Sequence, residues 1–454
     1  MSIQHINLSD FSQVFDVSNN NKAIYGEVHT DFLLINKILD LIPSHYYSNP
    51  NVTWLEPCAG RGYFPMVLYK KLYNNLSSII PNNNSRSKHI LAKNIFINEI
   101  NLQHKKFLIK LFGEKNNVSF KNFFDLNQKF DIIYGNPPFN INGASKTPTN
   151  NKLQKKLDGS NAWVQFIKHS INLLKPNGLL AFITPSIWMK NDYFFHNTMK
   201  QYQILKIITL DNTQTNKAFH GHAQTPTSLF LLQKKPSNYK TLLYDNIHKN
   251  YIQFDYSKSS IPLCYASIVN KFKPYVEKYG SVKVIKTSMR PGYKGLILGP
   301  SLNGKKTGYP NIKSCKLNGL KPQLAINFSN IKCSYCGIPK IVLAHKMHGF
   351  PYPDLDGMFG ISNRDNYVIL KTKKQDLFKI YKFLSNNFFV KLFEATRYRM
   401  KYLERHIFDF IPDICNIPNF PQTISLQSIY NFFQISELER NFIEQNTKKH
   451  YEFF

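Results

Sequence analysis

A doubly wound α/β sheet followed by an α+β second half is the fold the sequence predicts, on three observations. Short runs of apolar and β-branched residues recur between positions 52 and 232 and alternate with helical patterns. The first run ends in a glycine-rich turn and the fourth in a pair of prolines. Past Lys234-Lys235-Pro236 the alternation fades, and lysine, glycine and aromatic residues intermingle.

Seven strands are expected, at 52–56, 95–98, 118–120, 130–134, 179–184, 205–210 and 228–232. Between the fourth and fifth, Trp163, Phe166, Ile167, Ile171 and Leu174 fall at helical spacing and predict a helix over 161–174. Lys175-Pro176-Asn177-Gly178 is expected to stop it. The asparagine-rich stretch 74–88, with Pro81-Asn82-Asn83-Asn84, reads as a solvated loop. A second polar stretch, 142–160, follows the proline pair and reads either as a plain loop or, more sharply, as a mobile cover over a site there. The predicted domains are 1–245 and 246–454.

Lysine and arginine number 58 against 28 for aspartate and glutamate, a net charge of +30. Such a surplus favours a polyanionic partner, because phosphate contacts release condensed counterions. No apolar run reaches the roughly 18 residues of a membrane-spanning helix, so a membrane partner is not expected. The N-terminus, MSIQHINLSDF, is acidic and polar where a secretory signal is basic and then apolar. Six scattered cysteines do not resemble a disulfide framework, which points to a reducing compartment.

The segment richest in chemistry is Asn136-Pro137-Pro138-Phe139, after the fourth strand. Open α/β sheets bind ligands at strand carboxyl ends. The two prolines remove N–H donors and leave carbonyl acceptors, and the Asn136 side chain adds another acceptor. Two acceptors can take both protons of an amino group conjugated to an aromatic ring. That favours a pyramidal nitrogen with an available lone pair, which is transition-state stabilisation. Phe139 supplies a flat apolar face for a base taken out of its stack.

The second motif, Glu56-Pro57-Cys58-Ala59-Gly60-Arg61-Gly62-Tyr63-Phe64, follows the first strand. Gly60 and Gly62 let the backbone approach a ligand, and Glu56 can bind an ammonium. No third glycine opens the helix, so an adenosine cofactor with a charged amino-acid tail fits better than a pyrophosphate. Glu99 follows the second strand, where a carboxylate can accept ribose hydroxyls. Asp125 follows the third and could hydrogen-bond an adenine amino group.

In order and wording these motifs resemble the amino-methyltransferases that modify adenine N6 or cytosine N4 in the DNA of restriction–modification systems. The match is to the adenine enzymes whose cofactor loop precedes Asn-Pro-Pro and whose target recognition is C-terminal. Their usual first motif is Asp-Pro-Ala-Cys-Gly-Ser-Gly-x-Phe. Here Glu56 replaces Asp, Cys58-Ala59 is inverted, and Arg61 fills the Ser slot. Upstream, Tyr25-Gly26-Glu27-Val28-His29-Thr30 resembles the family's Gly-x-x-x-Thr-Pro, with Asp31 in place of the proline. Leu174-Lys175-Pro176-Asn177-Gly178 and Ala181-Phe182-Ile183-Thr184-Pro185 repeat its helix-end and fifth-strand wording, so the likeness spans residues 22–235.

The resemblance implies a seven-stranded Rossmann-like S-adenosylmethionine-dependent methyltransferase domain and a C-terminal α+β target recognition domain. Thr30, Glu56, Pro57, Gly60, Gly62, Phe64, Glu99 and Asp125 would bind S-adenosyl-L-methionine. Asn136, Pro137, Pro138 and Phe139 would hold a flipped adenine, and no metal is needed. The implied substrate is adenine N6 in double-stranded DNA, with a separate cognate restriction endonuclease as the partner such systems use. The implied setting is a bacterial cytoplasm, or a host cytoplasm for a large DNA virus. An RNA base or a protein glutamine stays open as a substrate, since Asn-Pro-Pro-[Phe/Tyr] serves there too. A nucleic-acid-binding module with a decayed site is a further alternative; intact Glu56, Gly60, Gly62, Asn136 and Phe139 argue against it.

In the second half, Arg290-Pro291-Gly292-Tyr293-Lys294-Gly295 and Gly304-Lys305-Lys306 interleave basic residues with glycine and aromatics, as suits phosphate contacts. The runs 339–342, 383–386 and 410–412 loosely resemble recognition domains of DNA adenine methyltransferases. Cys333-x-x-Cys336 with His345 and His348 supplies zinc-type ligands, yet the spacing fits no standard finger and free thiols are expected.

Overall fold

The structure is a computed structural model describing Ile3 and residues 21, 24–28, 30–114, 116–140, 162–287, 295–302, 304–345, 348–363, 365–399 and 403–454. The expected cover at 142–160, the basic run 290–294 and His29 lie outside the described residues. The chain divides into two compact units, Met1–Tyr244 with Asp255–Ser257, and Asp245–Phe254 with Lys258–Phe454.

The first unit is built on β1 (Trp54–Glu56), β2 (Ile95–Asn98), β3 (Val118–Ser119), β4 (Phe130–Gly135), β5 (Leu174–Pro185), β6 (Tyr202–Leu210) and β7 (Thr227–Pro236). They stand in the order 3-2-1-4-5-7-6. β1 lies parallel to both β2 and β4, and β7 runs antiparallel between β5 and β6. This is the seven-stranded Rossmann-like arrangement the sequence predicts, with its topological switch at β1 and β4, where ligands bind. Ile132, Ile133, Leu180, Phe182 and Ile183 are all fully buried. A sheet covered on both faces therefore reads as apolar runs rather than as alternation.

Three details differ from the expectation. An eighth strand, β8 (Lys240–Asp245), adds parallel to β6 through Lys206↔Leu242 and Ile207↔Leu243, so the sheet continues past Lys234-Lys235-Pro236. The helix is Ala162–Leu173, and Leu174 already opens β5. Residues 175–178 are a bend inside extended chain, with Asn177 at φ 61°.

The asparagine-rich stretch is not a solvated loop. The helix Tyr63–Asn75 runs through its start, and the Asn82 side chain caps a second helix, Asn83–His89, by accepting from Ser85 N. Arg86 and Ser87 are buried. Arg86 donates to the carbonyls of Ile80 and Pro81 and to Asn83 Oδ1, while Ser87 Oγ accepts from the Tyr69 hydroxyl at 2.8 Å. Polar side chains that satisfy one another locally can be buried at little cost, and composition does not register this.

The second unit is α+β, as predicted. Among the described residues it holds an antiparallel sheet of Ile285–Lys286, Asn366–Ile369, Lys340–Ala344 and Pro351–Asp354, and a second of Leu298–Gly299, Lys321–Ser329 and Tyr309–Asn318. In the long hairpin, Cys315 and Leu317 pack with Ala344, Phe350, Tyr451 and Phe453. Lys313, Lys316, Asn318 and Gln323 are left exposed. Lys340 and Asp354 form a buried ion pair; Lys340 Nζ also donates to the carbonyls of Tyr335, Ile338 and Phe359. Asp354 accepts from the N–H groups of Met358 and Phe359. Among the described residues no helix is long and apolar enough to cross a membrane.

Candidate active site

The glycine turn after β1 is held from several sides. Gly60 and Gly62 have φ of 53° and 80°, the left-handed region that glycine adopts without strain. Gly62 N donates to Ala59 O at 2.8 Å, and Ala59 N to Asn98 O at 3.0 Å. Asn98 Nδ2, at the end of β2, donates back to Pro57 O at 3.3 Å. A Cβ at Gly62 would lie 2.9 Å from Leu108 Cδ2 and Phe112 Cε2, whereas one at Gly60 would meet nothing within 4 Å. The turn is therefore packed beneath Gly62 and open at Gly60, so a ligand can approach there.

Two carboxylates flank the turn. Glu99 Oε2 accepts from Gly60 N at 2.6 Å, and its Oε1 from Asn101 N at 2.7 Å. Burial raises the Glu99 pKa above the usual carboxylate range, partly opposed by those two N–H groups and by nearby His104. His104 Nε2 in turn lies 3.0 Å from Glu27 Oε1. Glu56 is buried more completely. Its Oε1 faces Cys58 N at 3.4 Å and Cys58 Sγ at 3.6 Å, while Oε2 has no hydrogen-bond partner among the described residues. Loss of water pushes the Glu56 carboxyl well above its ordinary value; the Cys58 contacts oppose this and the charge of Glu99 adds to it. A Cβ at Gly135 would lie 2.4 Å from both Glu56 oxygens, so only glycine fits at the end of β4.

Asn136 follows directly. Its Nδ2 donates to Thr30 Oγ1 at 3.0 Å, and its Oδ1 is buried with no partner among the described residues. Cys58 Sγ donates to Asn136 O at 3.5 Å, which joins this turn to the glycine turn. The N-terminal segment closes over the other side. Gly26, at φ 65°, sits so near the turn that a Cβ there would lie 2.2 Å from Asn140 O and 2.8 Å from Pro138 Cβ. Asp31, where the family pattern has proline, caps the helix Phe32–Leu39 by accepting from Leu33 N at 2.8 Å. The half-buried Phe139 ring meets Phe219 edge-on at 6.1 Å.

The structure thus brings Thr30, Glu56, Pro57, Gly60, Gly62, Glu99, Asn136, Pro137, Pro138 and Phe139 to neighbouring strand ends and the strap across them. Phe64 is buried with its ring against Tyr134 at 6.3 Å, on the side that the helix Tyr63–Asn75 turns to the sheet. Asp125 stands exposed at the end of the turn Phe123–Asp125, beside the half-exposed Phe124. Arg61 turns its guanidinium to the Tyr63 hydroxyl, which accommodates a bulky residue in the Ser slot. Sequence reasoning missed Glu27 and His104, which meet only in the fold, and Cys58, whose bridging role no motif spells out.

An adenosine cofactor with a charged tail fits these residues: an open glycine turn, a carboxylate on that turn, and a buried carboxylate oxygen awaiting a donor. The cysteine–histidine set does not converge. Among the described residues no group of three or more His, Cys, Asp or Glu could hold a metal ion. Cys333 Sγ instead contacts Ser329 Oγ at 3.6 Å, and His348 Nε2 lies 3.3 Å from the Tyr451 hydroxyl.

Residues 36–216 match the model of the Eco57I restriction-modification methylase family. A stretch of 73 residues is 37% identical to an uncharacterized adenine-specific methylase of Mycoplasma pneumoniae, covering 15% of this chain and 17% of that protein. Another of 78 residues is 37% identical to the type II methyltransferase M.TthHB8I of Thermus thermophilus, covering 15% and 18%. The chain thus spans under a fifth of the length of these curated relatives. A modification subunit of a putative type I restriction enzyme from Vibrio vulnificus aligns in structure over 48% of this chain and 47% of its own, at 14% identity and TM-score 0.36. Over residues 36–216, then, the chain is similar to the Eco57I restriction-modification methylases, in keeping with the resemblance its motifs carry.

Proposed function

We propose that this chain transfers a methyl group from S-adenosyl-L-methionine to the N6 amino group of adenine in double-stranded DNA. The observation that carries the reading is Asn136 Oδ1, a buried acceptor beyond the end of β4 with no partner among the described residues. An unmatched buried acceptor costs roughly 1–3 kcal/mol, which an amine proton would relieve.

When bound, S-adenosylmethionine supplies a sulfonium methyl that the amine displaces from sulfur. The chain's own residues prepare the amine. Asn136 Oδ1 and the Pro137 carbonyl take its two protons, Pro138 keeps the turn rigid, and Phe139 lies against the flipped ring. The proton released after attack passes to water, so neither a nucleophilic side chain nor a metal is required. Glu56 Oε2 would take the tail ammonium, Glu99 the ribose hydroxyls and Asp125 the adenine amino group. Pro57, Gly60 and Gly62 would shape the backbone around them.

Residues 1–245 would form the catalytic domain and 246–454 the target recognition domain. The exposed Lys313, Lys316, Asn318 and Gln323 of the second unit's hairpin suit phosphate and base-edge contacts. A cognate restriction endonuclease would be a separate chain, and the reaction would take place in a bacterial or virally occupied cytoplasm.

The test offers labelled methyl donor with unmodified DNA, RNA and protein, followed by nucleoside and amino-acid analysis. Label recovered as N6-methyladenine in DNA is expected. Label confined to RNA or to glutamine would replace the substrate, and cofactor binding by calorimetry without any transfer would point to a decayed site.

A further inference from the structure

We infer that Asn98 is a positioning residue, whose buried amide ties together the three strand-end segments that hold the cofactor. This rests on the reading that the glycine turn, Glu99 and Asp125 bind S-adenosylmethionine. It adds a residue that acts through those groups by setting their spacing.

A ligand site at the carboxyl ends of parallel strands is assembled from turns far apart in the chain. Strand pairing holds such turns in register only as far as the strands run. β2 and β3 pair through Ile97↔Val118 and Asn98↔Ser119, and Glu99 N donates to Ser119 O at 3.1 Å. Past that point the Asn98 side chain takes over from the main chain.

Asn98 is buried. Its Nδ2 donates to Lys121 O at 3.0 Å and to Pro57 O at 3.3 Å. Its Oδ1 accepts from Ser119 Oγ at 2.7 Å and from Lys121 N at 3.3 Å. A carbonyl only accepts and a backbone N–H only donates, so these partners fix which end of the amide is which. The amide thus pairs with both backbone groups of Lys121, as one more strand residue would, and its second N–H reaches across to the glycine turn. Pro57 lies between Glu56 and Gly60, Lys121 leads through Asn122 into the turn Phe123–Asp125, and Glu99 is the next residue in the chain. One side chain therefore registers all three segments.

The other end of β2 supplies a matched control on the full chain. Asn94 is also buried, and its Nδ2 donates to Pro50 O at 2.8 Å and Val52 O at 2.9 Å, on the approach to β1. It stands about 13 Å up the strand, at the end away from the site. Asn98→Ala and Asn94→Ala should both lower the urea midpoint, since each leaves two carbonyls without their donor. Binding of S-adenosylmethionine, measured by calorimetry where both variants are folded, should separate them. Asn98→Ala should weaken it by about 5- to 100-fold, and Asn94→Ala should leave it within about twofold. Asn98→Asp is the milder variant. It keeps an acceptor oxygen but, ionised or protonated, cannot donate to both carbonyls, so its affinity should fall as well.

Unchanged cofactor affinity in Asn98→Ala would overturn the proposal. Equal weakening by Asn98→Ala and Asn94→Ala would do the same, because it would mark a general loosening of the sheet. If Asn98→Ala does not fold, Asn98→Asp set against Asn94→Asp decides on the same comparison. A wild-type chain that binds S-adenosylmethionine while these tests fail loses only the Asn98 assignment. One that binds none loses the cofactor reading and this inference with it.

Discussion

The Lys340–Asp354 pair and the Glu56–Asn136 pocket bury polar groups to similar depth but finish them differently. In the second unit, the Lys340 ammonium meets a carboxylate and three carbonyls, and Asp354 also collects two backbone N–H groups. Burial lowers the Lys340 pKa, and the Asp354 carboxylate pulls it back. That region is complete and serves the fold. At the ends of β1 and β4, by contrast, Glu56 Oε2 and Asn136 Oδ1 stay unmatched among the described residues. Depth of burial alone therefore does not tell the two regions apart.

The contrast can be broken most sharply at Asn136. Asn136→Ala should lower the methyl-transfer rate by about 10²–10³-fold, as for loss of one preorganised transition-state contact. Cofactor affinity should hardly move. The fold should lose only about 1 kcal/mol, the worth of the bond to Thr30. A parallel fall in affinity and rate would place Asn136 on the cofactor instead.

At the complete site the expected loss is in stability. Lys340→Met leaves Asp354 buried and unpaired, which should cost about 3–5 kcal/mol in urea unfolding. Adding Asp354→Leu should recover most of it. If the double variant stays as unstable as the single, the pair is not the closed unit described. Phe139→Ala comes next, with a loss of roughly 1–3 kcal/mol in kcat/KM on duplex substrate, the range for stacking on a base. Unchanged kcat/KM would remove that ring from the site.

The smallest effect is a pH slope. The Glu56 pKa lies above the ordinary 4.5 in the fold, so the unfolded chain releases that proton first as pH rises. Ligand-free stability should therefore fall from pH 4.5 upward until Glu56 itself ionises, by at most about 1.4 kcal/mol per pH unit from this group. Glu56→Gln should flatten the slope in urea titrations across pH and weaken cofactor binding. A slope that survives the substitution would assign it to other groups.

All seven predicted strands were legible because a doubly covered sheet writes itself as apolar runs, and the two turns because glycine and proline constrain backbone in ways composition displays. The helix Asn83–His89 was not legible, since Arg86 looks like a surface residue until the carbonyls of Ile80 and Pro81 are placed beside it. Phe64 occupied a motif slot, and only the helix rotation shows that it feeds the core. Glu27 and His104 share no pattern in the chain; the fold of a strap over β2 joins them. Strand-end acids could be read from their position, but not which of their oxygens would remain unanswered.

The Asp31 cap fixes more than a helix end. Because Leu33 N is tied to its carboxylate, Thr30 is registered against a rigid element on one side and against Gly26 on the other. One added or deleted residue between them would displace the threonine by about 3.5 Å, longer than the hydrogen bond it makes. Related chains should therefore keep a constant length between the clasp and the cap.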